Sequence, residues 1–376
     1  MRLIIEPADG VAPLLSAIRR ARKSVEIAVF RLDRKDIETA LTAAAARGVR
    51  VTALIAFANR GGERNLRRLE LRCLAAGITV ARTADDLTRY HGKYVLIDRR
   101  ILFVLSFNFT YLVIDHSRGF GIVTSRQDCL QEAAKLFEAD CARTPYSPSV
   151  DAFVVSPAHS RRVLGTFLKQ AKKELLIYDP KISDREMLGI LQARVRAGVE
   201  VKVIGQVSGR PPFDVRKLAG TRLHTRTIIR DRRRAFVGSQ SLRAAELDSR
   251  REVGLIVRDT KAVKTLIDTF ESDWAGTTAT SRRVPAAVED APAEGPLASS
   301  AKDIAQAVEV FTKELQPLVA TVKDAVRQAV IKAGDDVLHD KDAKVTMKQV
   351  VKDAVKEAVK DAVHEAREAQ PPRSDE

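Results

Sequence analysis

Two histidines of this chain keep the same company. His91 is followed by Lys93 and Asp98, then by Ser106 and Asn108; His224 is followed by Arg226 and Asp231, then by Ser239 and Ser241. The spacings are identical, and the two sets lie 133 residues apart. An imidazole can attack or carry a proton near neutrality, because its unperturbed pKa is ~6.5. A cation two residues away can neutralise phosphate oxygens as charge builds on them. Hydroxyls and an amide add neutral hydrogen bonds. Together these side chains are equipment for binding and attacking a phosphate. Two of the six histidines recur with matched neighbours, which is hard to reconcile with histidines that only fill a core.

The elements that must position them are legible around each set. Tyr94 to Ile97 reads as a buried strand, and Ile101 to Leu105, after the turn signal Asp98-Arg99-Arg100, as the next. Alternate strand residues share a face, so His91 goes with Lys93 and Ser106 with Asn108 on one hairpin. Asp98 and Asp231, five residues beyond the cations, fall on the far side and suit structural pairing better than proton transfer. Upstream, helical spacing over Ala12 to Arg22 and Glu38 to Ala46 alternates with the apolar runs Val25 to Phe30 and Val49 to Ala56. A helix with Arg67, Arg68 and Arg72 and a strand at Thr79 to Ala81 lead into the motif, and Phe120 to Thr124 and a helix from Gln127 to Ala139 close the unit. Gly48 stands where a helix C-terminus needs a left-handed residue. Such alternation predicts an α/β unit.

Thr144 to Ser149 reads as a linker, and beyond it the pattern begins again. Ala46 to Val51 has its counterpart in Arg196 to Val201, offset by 150. The fall from 150 to 133 places 17 extra residues in the first half, which the Arg67 helix accounts for. The chain reads as an internal duplication.

The doubled H-x-K-x4-D element, with its G-S-x-N follower, resembles the phospholipase D superfamily over Leu3 to Trp274. The resemblance implies two similar α/β lobes, residues 1–144 and 150–275, each a mixed sheet flanked by helices. They would be related by a pseudo-two-fold, with both histidines at the seam. It also implies a covalent phosphohistidine, with His91 as nucleophile, His224 as acid, and Lys93 and Arg226 as the cations; the reverse order of the histidines stays open. Ser106, Asn108, Ser239, Ser241 and Glu252 would bind phosphate or support the site, and neither a metal nor another cofactor is implied. The sequence departs from the family pattern in four places. Arg226 replaces a Lys, whose compact ammonium a planar fork does not reproduce. Leu105 replaces a Gly, and Ser241 replaces an Asn. The second half offers Glu252 to orient a histidine, but its first-half counterpart is Gly119, with Asp115 nearby as a substitute. Members of the superfamily cleave phospholipids, exchange their headgroups, join glycerolipids into cardiolipin, or cut nucleic acid. The expected activity is phospholipase D-type hydrolysis or phosphatidyl transfer on phospholipids. A metal-independent nuclease and a catalytically degenerate binding or scaffold protein are the alternatives.

Composition bounds the partners. The chain has 376 residues, 45% apolar, enough for two or more domains. Its net charge of +15 is uneven, about +17 in the first 300 residues and −2 after them. A basic body calls for an anionic partner: anionic phospholipid, with peripheral membrane contact, or nucleic acid. For nucleic acid speaks Arg230 to Arg234, placed beside the second site; against it, only 5% of residues are aromatic and none interleave with the basic runs for base stacking. Cys73, Cys129 and Cys141 have no C-x-x-C spacing and read as buried thiols of a reducing compartment. The opening Arg2-Leu3-Ile4-Ile5 reads as a strand rather than a signal peptide, and no apolar run reaches transmembrane length. The expected location is the cytoplasm, peripheral at a membrane. Residues 276–300 read as a flexible linker. Residues 301–370 read as an α-helical C-terminal extension, with Val351, Val355, Val359 and Val363 on a stripe suited to oligomerisation or partner binding.

Overall fold

The computed structural model describes residues 1–57 and 63–277, with Glu63 and Arg64 as backbone only. Nearly all of the expected linker after Gly276, and the whole helical extension, lie outside the described residues. The first half begins β1 (Arg2–Glu6), α1 (Ala12–Arg20), β2 (Ser24–Val29), α2 (Lys35–Ala46), β3 (Arg50–Ile55), α3 (Glu63–Ala75), β4 (Thr79–Arg82). It continues β5 (Arg89–Tyr90), β6 (Tyr94–Ile97), β7 (Ile101–Leu105), α4 (Tyr111–His116), β8 (Ser117–Thr124), α5 (Gln127–Ala142). The second half begins β9 (Phe153–Val155), α6 (Ser160–Lys169), β10 (Glu174–Ile182), α7 (Arg185–Arg196), β11 (Glu200–Val207), β12 (Asp214–Arg216), β13 (Arg222–Leu223). It ends β14 (Arg226–Arg230), β15 (Arg234–Gly238), α8 (Ala244–Asp248), β16 (Arg250–Arg251), β17 (Val253–Val257), α9 (Thr260–Ala275).

The first sheet has the order β1-β8-β7-β6-β2-β3-β4 and the second β9-β17-β15-β14-β10-β11-β12, which correspond strand for strand. In each, the last three strands run parallel and the other neighbours antiparallel, so both sheets are mixed. The duplication seen in the sequence is therefore a duplication of topology. Helix α3 is the exception. It fills the connection from β3 to β4, where the second half has only a short segment between β11 and β12.

Both halves fall within one compact unit, because the second sheet shares its inner face with the first half. Along β10, Leu175 and Ile177 pack with Ile228 of β14, Phe236 of β15 and the residues of α6 and α7. The alternate residues Leu176 and Tyr178, with Ile229, Ala235 and Val237, join the core that runs into the first half. Period-two alternation splits one sheet between two cores. Each fully buried aliphatic side chain there contributes about 1.5–3 kcal/mol. The Thr144 to Ser149 segment is held against α5: Glu132 accepts from the Tyr146 hydroxyl at 2.6 Å and the Ser149 amide at 3.1 Å.

The hairpins that carry the motifs turn alike. Asp98 and Arg99 have φ of 53° and 50°, and Asp231 and Arg232 have 51° and 54°. This left-handed pair matches strand twist but suits few side chains. The aspartates are anchored. Asp98 accepts from the amides of Arg22, Lys23 and Ser24 at 2.6–3.1 Å, and Asp231 from those of Lys172, Lys173 and Glu174 at 2.7–3.2 Å.

Candidate active site

Two short parallel pairings join the halves. Arg250 of β16 lies opposite Arg89 of β5, and Arg222 of β13 lies opposite Ser117 of β8. Since Arg222 is the counterpart of Arg89, and Arg250 that of Ser117, a pseudo-two-fold exchanges the two pairings. The same exchange relates two backbone hydrogen bonds. The His91 amide donates to the Arg251 carbonyl at 2.7 Å, and the His224 amide donates to the Arg118 carbonyl at 3.1 Å. Each histidine is held by main chain of the opposite half, which sets both at the seam.

The polar set follows the symmetry at first. Lys93 Nζ donates to the His91 carbonyl, and Arg226 Nη1 to the His224 carbonyl, both at 2.6 Å. Ser106 and Ser239 are fully buried and brace the sheet. The Ser106 hydroxyl accepts from the Phe120 amide at 2.9 Å, and the Ser239 hydroxyl from the Val253 amide at 3.1 Å. Their side chains are thus engaged with main chain. The buried Asn108 carries an Oδ1 with no hydrogen-bond partner among the described residues. Its counterpart Ser241 accepts from Arg226 Nε at 3.2 Å.

Symmetry breaks at the second nitrogen of each ring. His91 Nδ1 lies 2.8 Å from Glu252 Oε2 and 3.0 Å from Oε1. His224 Nδ1 instead donates to the Ser106 carbonyl at 3.0 Å. A carboxylate side chain at position 119 is disfavoured, because a Cβ on Gly119 would come within 2.9 Å of the Phe107 ring. Asp115, expected as a stand-in, is paired with Arg34 at 2.9 Å instead. Leu105 occupies the usual glycine position because Gly121 leaves it room; a Cβ there would lie 2.6 Å from the leucine side chain.

The electrostatics follow from this burial. His91 and His224 are both nearly inaccessible, and burial holds both well below the usual histidine range. Lys93 and Arg226 depress each of them further, and His91 bears on His224. Burial likewise depresses Lys93 and raises Glu252, which Lys93 and Arg226 pull back. At rest the geometry favours neutral rings. A bound anion would offset the cations and raise the affinity of the rings for a proton.

Several residues escape the sequence pattern. Glu246 of α8 is buried, accepts from the Ser241 amide at 2.7 Å, and lies 3.9 Å from Arg226 Nε and 3.2 Å from Arg250 Nη1. It has no counterpart, since the equivalent residue is Val113; its one signal is an acid between Arg243 and Arg250. Phe30 packs edge-on against His91 with centroids 4.7 Å apart. In contrast, Arg230 to Arg234 do not lie beside His224. They form the far end of the β14–β15 hairpin, where Arg230 donates to the Phe167 carbonyl and Arg232 pairs with Glu174. Strand length separates them from the site, which removes the basic run as an argument for nucleic acid. A groove of about 940 Å³ lies between α2 and α3, with Arg31, Lys35, Arg68 and Thr110 in its walls.

The family described as "Cardiolipin synthase, PLD-like domain" matches residues 14–141 and 164–274. The chain belongs to this family, and one matched segment falls in each half. Among solved structures, polyphosphate kinase from Porphyromonas gingivalis is similar at TM-score 0.62 and 22% identity, over 73% of this chain and 50% of that one. This chain thus spans about half the length of that protein. Phosphatidylserine synthase from Haemophilus influenzae is similar at TM-score 0.59 and 11% identity, over 74% of this chain and 87% of that one. Nuc, a phospholipase D family member from Salmonella typhimurium, is similar at TM-score 0.35 and 22% identity, over 39% and 97%. No curated protein matches the chain. Among the described residues no helix is long and apolar enough to cross a membrane.

Proposed function

We propose that the chain is a phospholipase D-type phosphodiesterase or phosphatidyltransferase acting on phospholipids through a phosphohistidine on His91. The contact between His91 Nδ1 and Glu252 carries this reading. An ionised Glu252 can only accept, so the ring proton stays on Nδ1 and the Nε2 lone pair is left to attack phosphorus. As the new P–N bond forms, the bond to the leaving oxygen breaks, and His224 gives that oxygen its Nε2 proton. His224 is suited to this role because its Nδ1–H is already committed to the Ser106 carbonyl, and a bound phosphate favours its charged form. In the second step water or an alcohol loses its proton to His224 and attacks phosphorus. The P–N bond then breaks and His91 is released. Lys93 and Arg226 neutralise the phosphoryl oxygens, and Asn108 offers an amide to them.

The phospholipid assignment draws on the family description and on the basic body, which suits an anionic lipid surface. The test is an assay in chelator with phospholipid vesicles, a chromogenic diester and single-stranded DNA. Headgroup release, together with a phosphate adduct on His91 that accumulates in His224→Ala, supports the proposal. Turnover of DNA alone selects the nuclease reading. No adduct on either histidine and no turnover of any substrate would leave a binding protein.

A further inference from the structure

Three arginines stand abreast at the end of the second sheet away from the histidines. Arg230 of β14 lies opposite Arg234 of β15, and the pairing of Ala235 with Val257 brings Arg258 opposite Arg234 in turn. Residues directly opposite in an antiparallel pair share a face, where like charges repel. Helix α6 covers that face. Arg230 lies 4.4 Å from the centre of the Phe167 ring, and donates to the Phe167 carbonyl at 2.9 Å and to Gln170 Oε1 at 2.7 Å. Arg234 and Arg258, joined by Arg126, line a cavity of about 410 Å³ whose wall includes Thr166 and Gln170. With its Oε1 taken by Arg230, Gln170 brings an amide donor to that wall.

The carboxylates of this region are engaged with other groups. Asp151, in the same wall, accepts from Arg162 Nη1 at 3.2 Å and from Nη2 at 2.5 Å. Asp128 pairs with Arg126, Asp231 takes the amides of Lys172, Lys173 and Glu174, and Asp259 caps α9 at the Ala262 amide. The hydrogen bonds of Arg230 go to neutral acceptors, and among the described residues no carboxylate pairs with Arg234 or Arg258. Burial holds Arg230 below its ordinary value, and Arg234 and Arg258 press it further down against the pull of Asp231.

The fold does not require cations here. At the 133-residue offset the three counterparts are Ile97, Ile101 and Ser125, and Ile97 pairs with Ile101 on the β6–β7 hairpin as Arg230 does with Arg234. The first half thus builds the same corner with aliphatic side chains packed on its core. We infer that Arg234 and Arg258, with Arg126 and Gln170, form a phosphate-binding site separate from the catalytic cluster, which takes the phosphate group of a small soluble molecule or of a lipid headgroup. A bound phosphate offsets the abreast cations through charge-assisted hydrogen bonds, and the cavity has the volume of a small-ligand site. Arg226 and Arg230 stand at opposite ends of β14, about 13 Å apart along the strand.

The experiment titrates inorganic phosphate into the full-length protein by calorimetry. One phosphate per chain is expected to lose affinity by roughly tenfold or more in Arg234→Gln and in Arg258→Gln, and by less than threefold in Arg234→Lys, which keeps the charge. Arg232→Gln controls for general charge, since its side chain pairs with Glu174 and Glu271 instead. Turnover of a chromogenic diester is expected to stay within twofold of wild type in both glutamine variants. In phosphate-free buffer both should melt no lower than wild type, because repulsion is relieved, and phosphate should raise the wild-type melting temperature more than theirs. Competition for this phosphate by vesicles of phosphatidic acid, but not of phosphatidylcholine, supports a lipid headgroup as the source. Competition by adenosine monophosphate supports a soluble phosphorylated ligand. Phosphate affinity unchanged in both glutamine variants overturns the site, as does a lowered melting temperature in both with loss of diester turnover.

Discussion

Nδ1 of His91 and Oε2 of Glu252 are 2.8 Å apart, although 161 residues separate them in the chain. The contact crosses the seam, so a residue of the second half governs the ring of the first. Among the described residues it is also unmatched, because Nδ1 of the symmetry-related His224 meets the Ser106 carbonyl instead.

Glu252→Gln tests that relationship. The amide can still meet Nδ1, but as donor or acceptor alike, so the tautomer is no longer held and the developing positive charge is unsupported. The expected result is a fall in kcat of roughly 10²-fold or more, with KM changed far less. Steady-state kinetics on a chromogenic diester would show it, and a kcat within twofold of wild type would remove Glu252 from the mechanism.

Gly119→Ala tests why the other side lacks an acid. The new methyl would meet the Phe107 ring at 2.9 Å, and overpacking of this kind costs about 1–3 kcal/mol. Phe107→Ala opens a cavity and is destabilising by itself. The double variant is expected to be more stable than the sum of the single losses predicts, and urea denaturation of the four proteins measures the coupling.

Asp98→Ala removes the acceptor of three backbone amides and is expected to cost about 1–3 kcal/mol at pH 7. Burial raises the Asp98 carboxyl, but the amides of Ser24, Lys23 and Arg22 outweigh it and hold the group below its ordinary value. A depressed carboxylate stabilises the fold above the unfolded pKa, ~3.9, and the effect is lost as pH falls through the folded value. Wild type and variant should therefore differ at pH 7, and the difference should shrink only as pH falls below the ordinary carboxylate value. The same experiment on Asp231→Ala, whose carboxyl is depressed by the equivalent amides, should give a matching curve.

Glu6 behaves in the opposite sense. Its carboxyl is fully buried, and neither oxygen has a hydrogen-bond partner among the described residues. Burial pushes its pKa up to about 7. The native state then holds a proton that the unfolded chain has lost, and stability declines between pH ~4.5 and 7 and levels off above. The decline amounts to about 3 kcal/mol at most. Glu6→Gln, neutral throughout, should lack this component, and chemical denaturation at pH 5 and pH 8 compares the two proteins.

The sequence by itself determined what is local or repeated. The H-x-K-x4-D and H-x-R-x4-D elements, their hairpins, and the insertion of 17 residues that holds α3 were readable because period and spacing act within one strand or one turn. Even the acceptance of backbone amides by Asp98 and Asp231 suited their place beyond the strand. Tertiary structure alone decided which groups meet across the seam. It gave Glu252 to His91 and withheld an acid from His224, because the Phe107 ring fills the space beside Gly119. It turned the Ser106 and Ser239 hydroxyls to neighbouring main chain, tied Asp115 to Arg34, and carried Arg230 to Arg234 to the far end of their hairpin. It also set Arg89 abreast of Arg250, a pairing of segments more than 150 residues apart. Strand alternation says which face a side chain takes; what waits on that face depends on how the two lobes pack.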